Sequence, residues 1–346
     1  MTASASEWAR KALAVALAIA LLVGLGPALE SGRIIDPYWF QILLVMGINV
    51  TLAVSLNLIN GFCGQFSIGH AGFMALGGYS AAWMTLHALP GGVATISSPA
   101  RAFWMIAALL VAGITAGAAG LIVGIPSLRL KGDYLAIVTL GFGEIIRVLI
   151  LNIEAVGGSS GLHDIPGLSS FFWIWLVAVG SIALSRNLVI SSHGRAILAV
   201  REDEIAAEAL GVPTTRYKVT VFALGSALAG MAGCLSGHLD LNLTPSSFTF
   251  VRSIEVIVMV ILGGLGSTTG AVVGAMGVTL LPEALRFIPI FRIGSATVNF
   301  SDWRMVIYSL FLIGLMLTRP NGLLGGKELT WPRSWTRRSS LGEGPA

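Results

Sequence analysis

Long apolar runs separated by short polar segments extend over most of the chain. A helix that crosses a bilayer needs about 20 mostly apolar residues, and eight runs come near this length, together with one longer stretch that glycines interrupt. The runs are 12–29, 38–59, 66–88, 102–125, 133–151, 171–186, 217–237 and 303–318, and the interrupted stretch is 253–281. The pattern predicts an all-α polytopic membrane protein with about 8–10 transmembrane segments, some of them broken.

The composition excludes two broad classes of protein. Charged residues make up 11% of the chain, whereas a soluble globular domain carries about 25%, so neither a soluble enzyme nor a disordered protein fits. Cys63 and Cys234 both lie in apolar stretches and suggest no disulfide framework. The sequence contains no metal-ligand spacing and no phosphate-binding loop of the GxxxxGK[ST] type. We therefore expect no metal, no cofactor, no catalytic residue and no ATP hydrolysis by this chain alone.

Lysines and arginines are concentrated on one side of the predicted bundle. If the N-terminus is cytoplasmic and 253–281 is a pair of half-spans that enters and returns, 14 of the 21 Lys and Arg lie inside, six lie outside, and Arg147 lies within a span. Cytoplasmic loops of membrane proteins carry such an excess. The bias predicts that both termini are cytoplasmic, and it explains the basic charge of the chain without a nucleic-acid partner.

Two glycine-rich segments, 61–79 and 263–277, interrupt the apolar pattern, and a shift of 200 positions aligns Gly64 with Gly264 and Ser67 with Ser267. Matched interruptions in the two halves of a transporter point to its pathway, because unwound backbone in a membrane must be buried in protein or line a wet cavity. The N-terminus of a half-helix also attracts a carboxylate. The pathway candidates are Gln65, Ser67, Gly69, His70, Phe73, Ser267 and Thr268.

Ordinary helix packing is the alternative for these segments. Small residues such as Gly72, Ala75, Gly78 and Ala271 let two helices approach closely. A lone histidine such as His70 is more often a hydrogen-bonding core residue than a ligand. We favour a pathway role for the two aligned serines and leave both interpretations open for the small residues.

Glu144 and Arg147 are opposed charges in the middle of a predicted span. Each would cost about 2.5–3.5 kcal/mol at a helix centre, and their i,i+3 spacing allows them to pair. We favour a structural ion pair that fixes helix packing. Contact with a zwitterionic cargo is the alternative.

Five blocks of the chain resemble a known family. The segment GQFSIGHAGF at 64–73 is similar to the GQxSxGHAxF pattern of the LivM-type permeases of branched-chain amino-acid ABC transporters. Four further blocks match in the same order, at 134–147, 157–166, 194–212 and 259–267. Together they span roughly residues 57 to 325.

The resemblance implies a type II ABC importer permease in the cytoplasmic (inner) membrane of a bacterium. Residues 1–318 would form the transmembrane permease domain, with 187–216 as a cytoplasmic coupling loop and 319–346 as a basic cytoplasmic tail. The implied partners are a homologous second permease, two ATPase subunits that bind the ATP, and an extracytoplasmic substrate-binding protein. Leucine, isoleucine and valine would be the cargo, transported by alternating access; urea, short amides and other small carboxylates are the alternatives within the same permease type.

The coupling loop contains an amphipathic segment, 195–210, which we expect to form one short helix ended by Gly211. Glu204 and Glu208 would lie on one face at i,i+4 spacing, and the order Glu208-Ala209-x-Gly211 is similar to the EAA-type loop that docks ABC permeases on their ATPases. A solvated surface helix is the alternative. The coupling candidates are Arg195, Arg201, Glu202, Asp203, Glu204, Glu208 and Gly211.

Two other functions compete with an ATP-driven importer. A passive channel or secondary carrier would transport without ATPase subunits. An intramembrane serine hydrolase is suggested by the segment 157–161, GGSSG, which formally satisfies GxSxG, with His238 near the outer end of another span. A nucleophile elbow needs a strand–turn–helix setting, and a polar external loop does not provide one.

Overall fold

A computed structural model describes residues 35–89, 97–127 and 133–286, together with Gly24, Gly26, 291–293, 296–298 and isolated residues between 309 and 328. Ten α-helices form within these residues. They are α1 Pro37–Asn57, α2 His70–Ala88, α3 Ser98–Ser127, α4 Asp133–Asn152, α5 Phe171–Ile190, α6 Ser192–Glu202, α7 Glu204–Ala209, α8 Thr214–Asp240, α9 Phe250–Gly263 and α10 Thr268–Arg286. A π-helical turn, Leu58–Phe62, extends α1, short 3-10 turns occupy Glu154–Val156 and Pro245–Phe248, and Phe291–Ile293 pairs with Ala296–Val298 as a two-stranded antiparallel hairpin.

The all-α polytopic class is confirmed. Within the described residues, five helices are long and apolar enough to cross a membrane: α1 with its π turn, α3, α4, α5 and α8. The predicted spans 12–29 and 303–318 lie almost entirely outside the described residues, as does most of the tail 319–346. Residues 66–69 are not helical, so the predicted span 66–88 becomes a helix that begins at His70.

Helix α8 forms the centre of the bundle by packing small residues against two neighbours. A Cβ on Gly77 would lie 2.2 Å from the Cα of Gly230, and one on Gly78 would lie 2.9 Å from the carbonyl oxygen of Gly233. Phe73 packs against Phe222, and Thr85, further along α2, lies against His238, further along α8, so the two helices run parallel. Contacts of α3 with α8 run in the opposite order, because Gly113 faces Met231 whereas Gly120 faces Ser226. Close packing of small residues therefore holds these helices together. Helix packing is one of the two interpretations that sequence analysis left open for Gly78.

The interrupted stretch 253–281 reverses direction, as the distribution of Lys and Arg favours. A Cβ on Gly274 would lie 2.0 Å from the carbonyl oxygen of Met259, and one on Gly263 would lie 1.9 Å from that of Gly270. These facing pairs make α9 and α10 an antiparallel hairpin. Gly264 and Gly266 form the turn with φ values of 115° and 76°, which favour glycine because a Cβ would be strained there.

Helix burial separates a core side of the bundle from an outer side. In the most apolar 18-residue segment of α1, 83% of the residues are buried, against 22% in the corresponding segments of α4 and α5. The exposed faces of α3 and α4 carry large apolar side chains such as Phe103, Ile114 and Ile137. Such surfaces suit lipid tails or another apolar subunit, so α1 and α8 are central and α3–α5 are peripheral within this chain.

The prediction of one helix over 195–210 is wrong, because the chain breaks at Asp203. This residue is extended, with φ −155° and ψ 109°, and its carboxylate accepts hydrogen bonds from the backbone N–H groups of Ile205 and Ala206. An aspartate that caps the next helix competes with continuation of the previous one. The loop therefore holds two short helices, α6 and α7, and α7 ends before Gly211 as expected.

Candidate functional site

The two glycine-rich interruptions meet at one end of the bundle. The side-chain oxygen of Asn57, at the end of α1, accepts a hydrogen bond of 3.0 Å from the backbone N–H of Gly266. A Cβ on Gly61 would lie 2.5 Å from the nitrogen of Gly266. The segments around Gly61 and Gly266 are thus in direct backbone contact, and their glycines allow this close approach.

Arg201, at the end of α6, lies over both segments. Its Nη1 donates to the carbonyl oxygen of Gly61 at 3.2 Å. A Cβ on Gly64 would meet the Cγ of Arg201 at 2.8 Å, and one on Gly266 would meet its Nη1 at the same distance. The predicted coupling loop therefore touches both predicted pathway segments through a single side chain. We call this side of the bundle the Arg201 end.

The two glutamates of α7 point toward α8. Glu204 forms an ion pair of 2.7 Å with Lys218, whose side chain is 2% exposed. Glu208 accepts a hydrogen bond of 2.6 Å from the hydroxyl of Thr214. A buried ammonium needs such a partner, so these two carboxylates fasten α7 to the first turns of α8.

The opposite face of the loop presents apolar side chains. Ile205 is 71% exposed and Leu210 is 85% exposed. Nothing lies within 4 Å of the position that a Cβ on Gly211 would take, and its φ is 82°. The remaining coupling candidates Arg195, Glu202 and Asp203 are also exposed, with Glu202 hydrogen-bonded to the neighbouring guanidinium of Arg201. This surface is accessible to a partner.

The first interruption continues from the Arg201 end into the bundle as a non-helical segment. Ser67 is fully buried, and its backbone exchanges two hydrogen bonds with the side chain of Asn60. Its hydroxyl has no hydrogen-bond partner among the described residues. Gly69 lies against α4, where a Cβ would come 2.0 Å from the carbonyl oxygen of Thr139. Gln65 is half-buried, and its side-chain Nε2 donates a long hydrogen bond of 3.5 Å to the carbonyl oxygen of Cys63.

Two pathway candidates of α2 have partners in the core. The Nε2 of His70 lies 2.7 Å from the hydroxyl of Ser55 on α1. The ring of Phe73 packs edge-on against Phe222, with 5.6 Å between centroids. Both side chains are buried. Their contacts are those of core residues, and a role in the pathway stays a prediction.

Ser267 and Thr268 form the start of α10. The hydroxyl of Ser267 accepts a hydrogen bond of 2.9 Å from the N–H of Gly270, which caps the helix. The hydroxyl of Thr268 lies 3.3 Å from that of Ser185 on α5. These serine and threonine side chains thus hold the helix terminus that we predicted as a carboxylate site.

The carboxylate at this terminus belongs to Glu328, a residue that sequence analysis did not select. Its Oε1 accepts from the N–H of Thr268 at 2.6 Å, and its Oε2 accepts from the hydroxyl of Thr269 at 2.8 Å. Close by, the N–H of Leu323 donates to the carbonyl oxygen of Leu262. Leu323 and Glu328, which follow the last predicted span, therefore contact the hairpin of α9 and α10. No local sequence pattern around Glu328 indicates this contact.

Glu144 and Arg147 pair with each other, as predicted, at 2.7 Å. The Glu144 side chain is 37% exposed and that of Arg147 is 26% exposed. The pair is therefore partly exposed, and Glu144 also lines a narrow cleft with Gly69 and Gly72 of the first interruption and Ser253 of α9. The choice between a packing role and a cargo contact stays a prediction.

A cavity of about 410 Å³ opens at the other end of the bundle, where α8 finishes at Asp240. Charged side chains of α8 and α9 line it together with apolar side chains of α1 and α2. Sequence analysis placed Arg252 only among the outer basic residues. The signal it missed is the order Arg252-x-x-Glu255 at the start of a helix, close in sequence to Asp240. We call this side the Asp240 end.

Comparison with known proteins decides the family. Residues 38–317 match the model of a family described as "Branched-chain amino acid transport system / permease component". This chain belongs to that permease family.

Individual relatives agree with the family match. The permease is 35% identical over 312 residues to the "High-affinity branched-chain amino acid transport system permease protein LivM" of Salmonella typhimurium, covering 80% of this chain and 68% of that protein. It is 27% identical to a probable LivM of Methanocaldococcus jannaschii, covering 84% and 94%. It is also 25% identical to the permease protein LivH of Escherichia coli, covering 80% and 91%.

Membership in a transport family leaves little support for the hydrolase alternative, and the geometry of the permease adds to this. The Nε2 of His238 lies 3.1 Å from the hydroxyl of Thr85, and its Nδ1 lies 2.8 Å from the carbonyl oxygen of Cys234. Both ring nitrogens are therefore engaged inside the bundle. The loop 157–161 instead packs its glycines closely, since a Cβ on Gly161 would lie 2.1 Å from the carbonyl oxygen of Leu243.

Proposed function

We propose that this permease is one of two membrane subunits of an ATP-driven importer of branched-chain amino acids in a bacterial cytoplasmic membrane. Its partners would be a homologous second permease, two ATPase subunits and an extracytoplasmic binding protein. The names of the LivM and LivH relatives support the cargo. The chain is similar to both LivM and LivH, which are two permease proteins of such transport systems. This similarity supports the pairing of two related permeases.

The contact of Arg201 with both glycine-rich interruptions is the observation that carries the mechanism. Its guanidinium bonds to Gly61 and lies against Gly266, and its Cγ lies against Gly64. A displacement of α6 must therefore move or break contacts at both interruptions. In the proposed cycle, closure of the ATPase dimer shifts α6 and α7, and Arg201 passes this shift to the hairpin α9–α10 and to the end of α1.

The ion pair between Glu204 and Lys218 supplies a second mechanical link. It joins α7 to α8, and α8 packs on both α2 and α3. Because Lys218 is almost completely buried, separating the pair would leave a charge without compensation. Movement of α7 is thus transmitted to α8 as a unit.

The ATPase surface on this chain would be the exposed face that contains Ile205 and Leu210. Both are large apolar side chains, Ile205 on α7 and Leu210 directly after it, and charged residues surround them. Interfaces commonly combine an apolar centre with a polar rim, and the face fits the groove of an ATPase in that way. Arg195 and Glu202 would belong to the rim.

The outer face of α4 is our candidate for the contact with the second permease. An exposed ion pair of Glu144 and Arg147 in the middle of a span is costly against lipid. A protein neighbour or a wet pathway between two subunits removes that cost. The apolar side chains Ile137, Ile145 and Val148 on the same helix are also exposed and would pack in such an interface.

This assignment fixes the direction of transport. The Arg201 end would be cytoplasmic because the ATPases bind there, which agrees with the excess of Lys and Arg on that side. The Asp240 end would face the binding protein. In this orientation α9 and α10 enter from outside and return, and both chain termini lie in the cytoplasm.

Reconstitution tests the proposal. The permease is assembled in proteoliposomes with its sister permease, ATPases and binding protein, and uptake of labelled leucine is measured with ATP or with a non-hydrolysable analogue. Strictly ATP-dependent uptake of leucine is expected. ATP-dependent uptake of urea or another solute, but not of leucine, would replace the cargo. Uptake without ATP by a properly assembled complex would favour a passive channel or carrier.

A further inference from the structure

The cavity at the Asp240 end contains charges of both signs. Arg252 and Glu255 lie one helical turn apart on α9, and the Nη1 of Arg252 donates to Glu255 at 2.8 Å. Asp240, at the end of α8, lines the same cavity and is near enough to Arg252 for electrostatic attraction. Asp240 and Glu255 are both exposed to the opening. A ligand that enters would therefore meet a guanidinium and two carboxylates together.

The guanidinium is held in place by a relay across three helices. Its Nη2 donates to the side-chain oxygen of Asn49 at 2.7 Å, and the Nδ2 of Asn49 donates to the hydroxyl of Thr279 on α10 at 2.9 Å. Asn49 is buried. A planar guanidinium with a fixed orientation suits recognition of a carboxylate, and this relay provides the orientation before any ligand arrives.

Serine, threonine and asparagine side chains form one part of the remaining cavity lining, and the other part is an aliphatic wall. Val45 and Ile48 of α1, Met74 of α2 and Leu239 of α8 contribute to it. The volume of about 410 Å³ lies in the range of about 300–1,000 Å³ that is typical of small-molecule sites. A branched aliphatic side chain has the shape and polarity for this wall, and its burial would be favourable.

We propose that this cavity binds the transported amino acid directly, with its carboxylate on Arg252, its ammonium group on Asp240 and Glu255, and its side chain against the aliphatic wall. The inference rests on the proposed function, which supplies the class of cargo. It gives the permease an amino-acid site of its own at the end where a binding protein would deliver cargo.

The combination of groups selects for a zwitterion. A carboxylate without an ammonium group would approach the acidic pair Asp240 and Glu255 without compensation. An ammonium group without a carboxylate would gain nothing from Arg252, whose positive charge repels it. Urea carries no charge and no aliphatic group, so it uses neither the charges nor the wall.

Protection of an introduced thiol tests the proposal. Ser247 is exposed and lines the cavity, whereas the native cysteines Cys63 and Cys234 are buried. The Ser247→Cys variant, assembled with its sister permease and ATPases but without binding protein, is labelled with a membrane-impermeant maleimide. Leucine is expected to slow labelling several-fold, whereas isovalerate and isoamylamine, which each lack one charge, leave the rate unchanged. The matched control Ser97→Cys, exposed ahead of α3 and outside the cavity, is expected to label at one rate throughout.

Two second-site variants connect the protection to the charges. Adding Arg252→Gln or Asp240→Asn to Ser247→Cys should abolish protection by leucine, and the pair of variants covers the case in which one of them fails to assemble. Protection that persists in both, or equal protection by all three compounds, overturns the proposed recognition.

The same preparation separates this inference from the proposed function. Binding protein is added and ATP-dependent leucine uptake is measured on the wild-type chain. If uptake occurs and leucine never protects the thiol, the cavity is not an amino-acid site although the importer function stands. If uptake of leucine is absent, the proposed function fails and the inference fails with it.

Discussion

Arg201 and Gly61 lie 140 positions apart in the sequence, and the guanidinium Nη1 of the former donates a 3.2 Å hydrogen bond to the carbonyl oxygen of the latter. This contact joins the end of a surface helix to the end of a central helix. Because Gly266 of the hairpin turn touches the same guanidinium, three segments converge on one side chain. The relationship gives a physical route from the predicted coupling loop to the broken helices.

Gly274 is expected to tolerate no side chain. A Cβ there would lie 2.0 Å from the carbonyl oxygen of Met259, so Gly274→Val must push α9 and α10 apart. Overpacking of this kind costs about 1–3 kcal/mol. Thermal unfolding of the purified permease should show a clear loss of stability. Gly277→Ala is the matched control, since its nearest neighbour is 3.9 Å away, and an equal loss in both variants would contradict the packing argument.

Lys218→Met should be destabilising because it leaves the carboxylate of Glu204 without its partner. That carboxylate is 26% exposed, so the loss should stay below the about 3–5 kcal/mol that breaking a fully buried pair costs. The double variant Lys218→Met with Glu204→Gln should regain most of that loss. Arg216→Met, on an exposed position of the same helix, controls for the change of residue type. Stability measured by denaturation in detergent would argue against the ion-pair role if the double variant were no better than the single one.

Leu210→Asp should weaken assembly with the ATPase subunits while leaving the fold intact, because the side chain is 85% exposed. Interface side chains of this kind contribute about 2 kcal/mol or more when they are central, which corresponds to more than about tenfold in affinity. Co-purification or a titration of ATPase onto immobilised permease measures the effect. Leu241→Asp, also exposed but at the Asp240 end, should bind ATPase normally, and a similar loss in both would remove Leu210 from the interface.

Glu144→Leu should impair the permease more than the double variant Glu144→Leu with Arg147→Leu. The single change leaves an unpaired guanidinium on α4, at a cost of about 2.5–3.5 kcal/mol in a membrane, and the double change removes both charges. Yield and pairing with the second permease are the measurements. A double variant that pairs normally but no longer transports would instead support contact with cargo.

The distribution of Lys and Arg in the sequence favoured the helix reversal at 253–281, because a pair of half-spans there places more of these residues on one side. The sequence also indicated helix in the loop at 195–210, since charges and apolar residues alternate there with helical spacing. It did not reveal that Asp203 divides this loop, although an aspartate followed by Glu204 is a reasonable helix start. At Asp203 one helix could continue or a second helix could begin. The hydrogen bonds that its carboxylate accepts from Ile205 and Ala206 favour the second helix.

The contacts that define the candidate site were beyond sequence reasoning for another reason. Arg252 reaches Asn49 across 203 positions, and Glu328 reaches Thr269 across 59. Neither pair shares a local pattern, because each results from the way in which separate helices pack. The sequence pointed to His70 and Phe73 by their motif, and only the packing shows that their side chains contact the core residues Ser55 and Phe222.

The most direct test of the coupling mechanism compares ATP hydrolysis with transport in the Arg201→Ala variant of the reconstituted complex. Arg195→Ala, which alters an exposed arginine on the same helix, is the matched control. We expect Arg201→Ala to assemble and hydrolyse ATP but to import several-fold less leucine per ATP, while Arg195→Ala keeps the wild-type ratio. An unchanged ratio of leucine imported to ATP hydrolysed in Arg201→Ala would contradict the account.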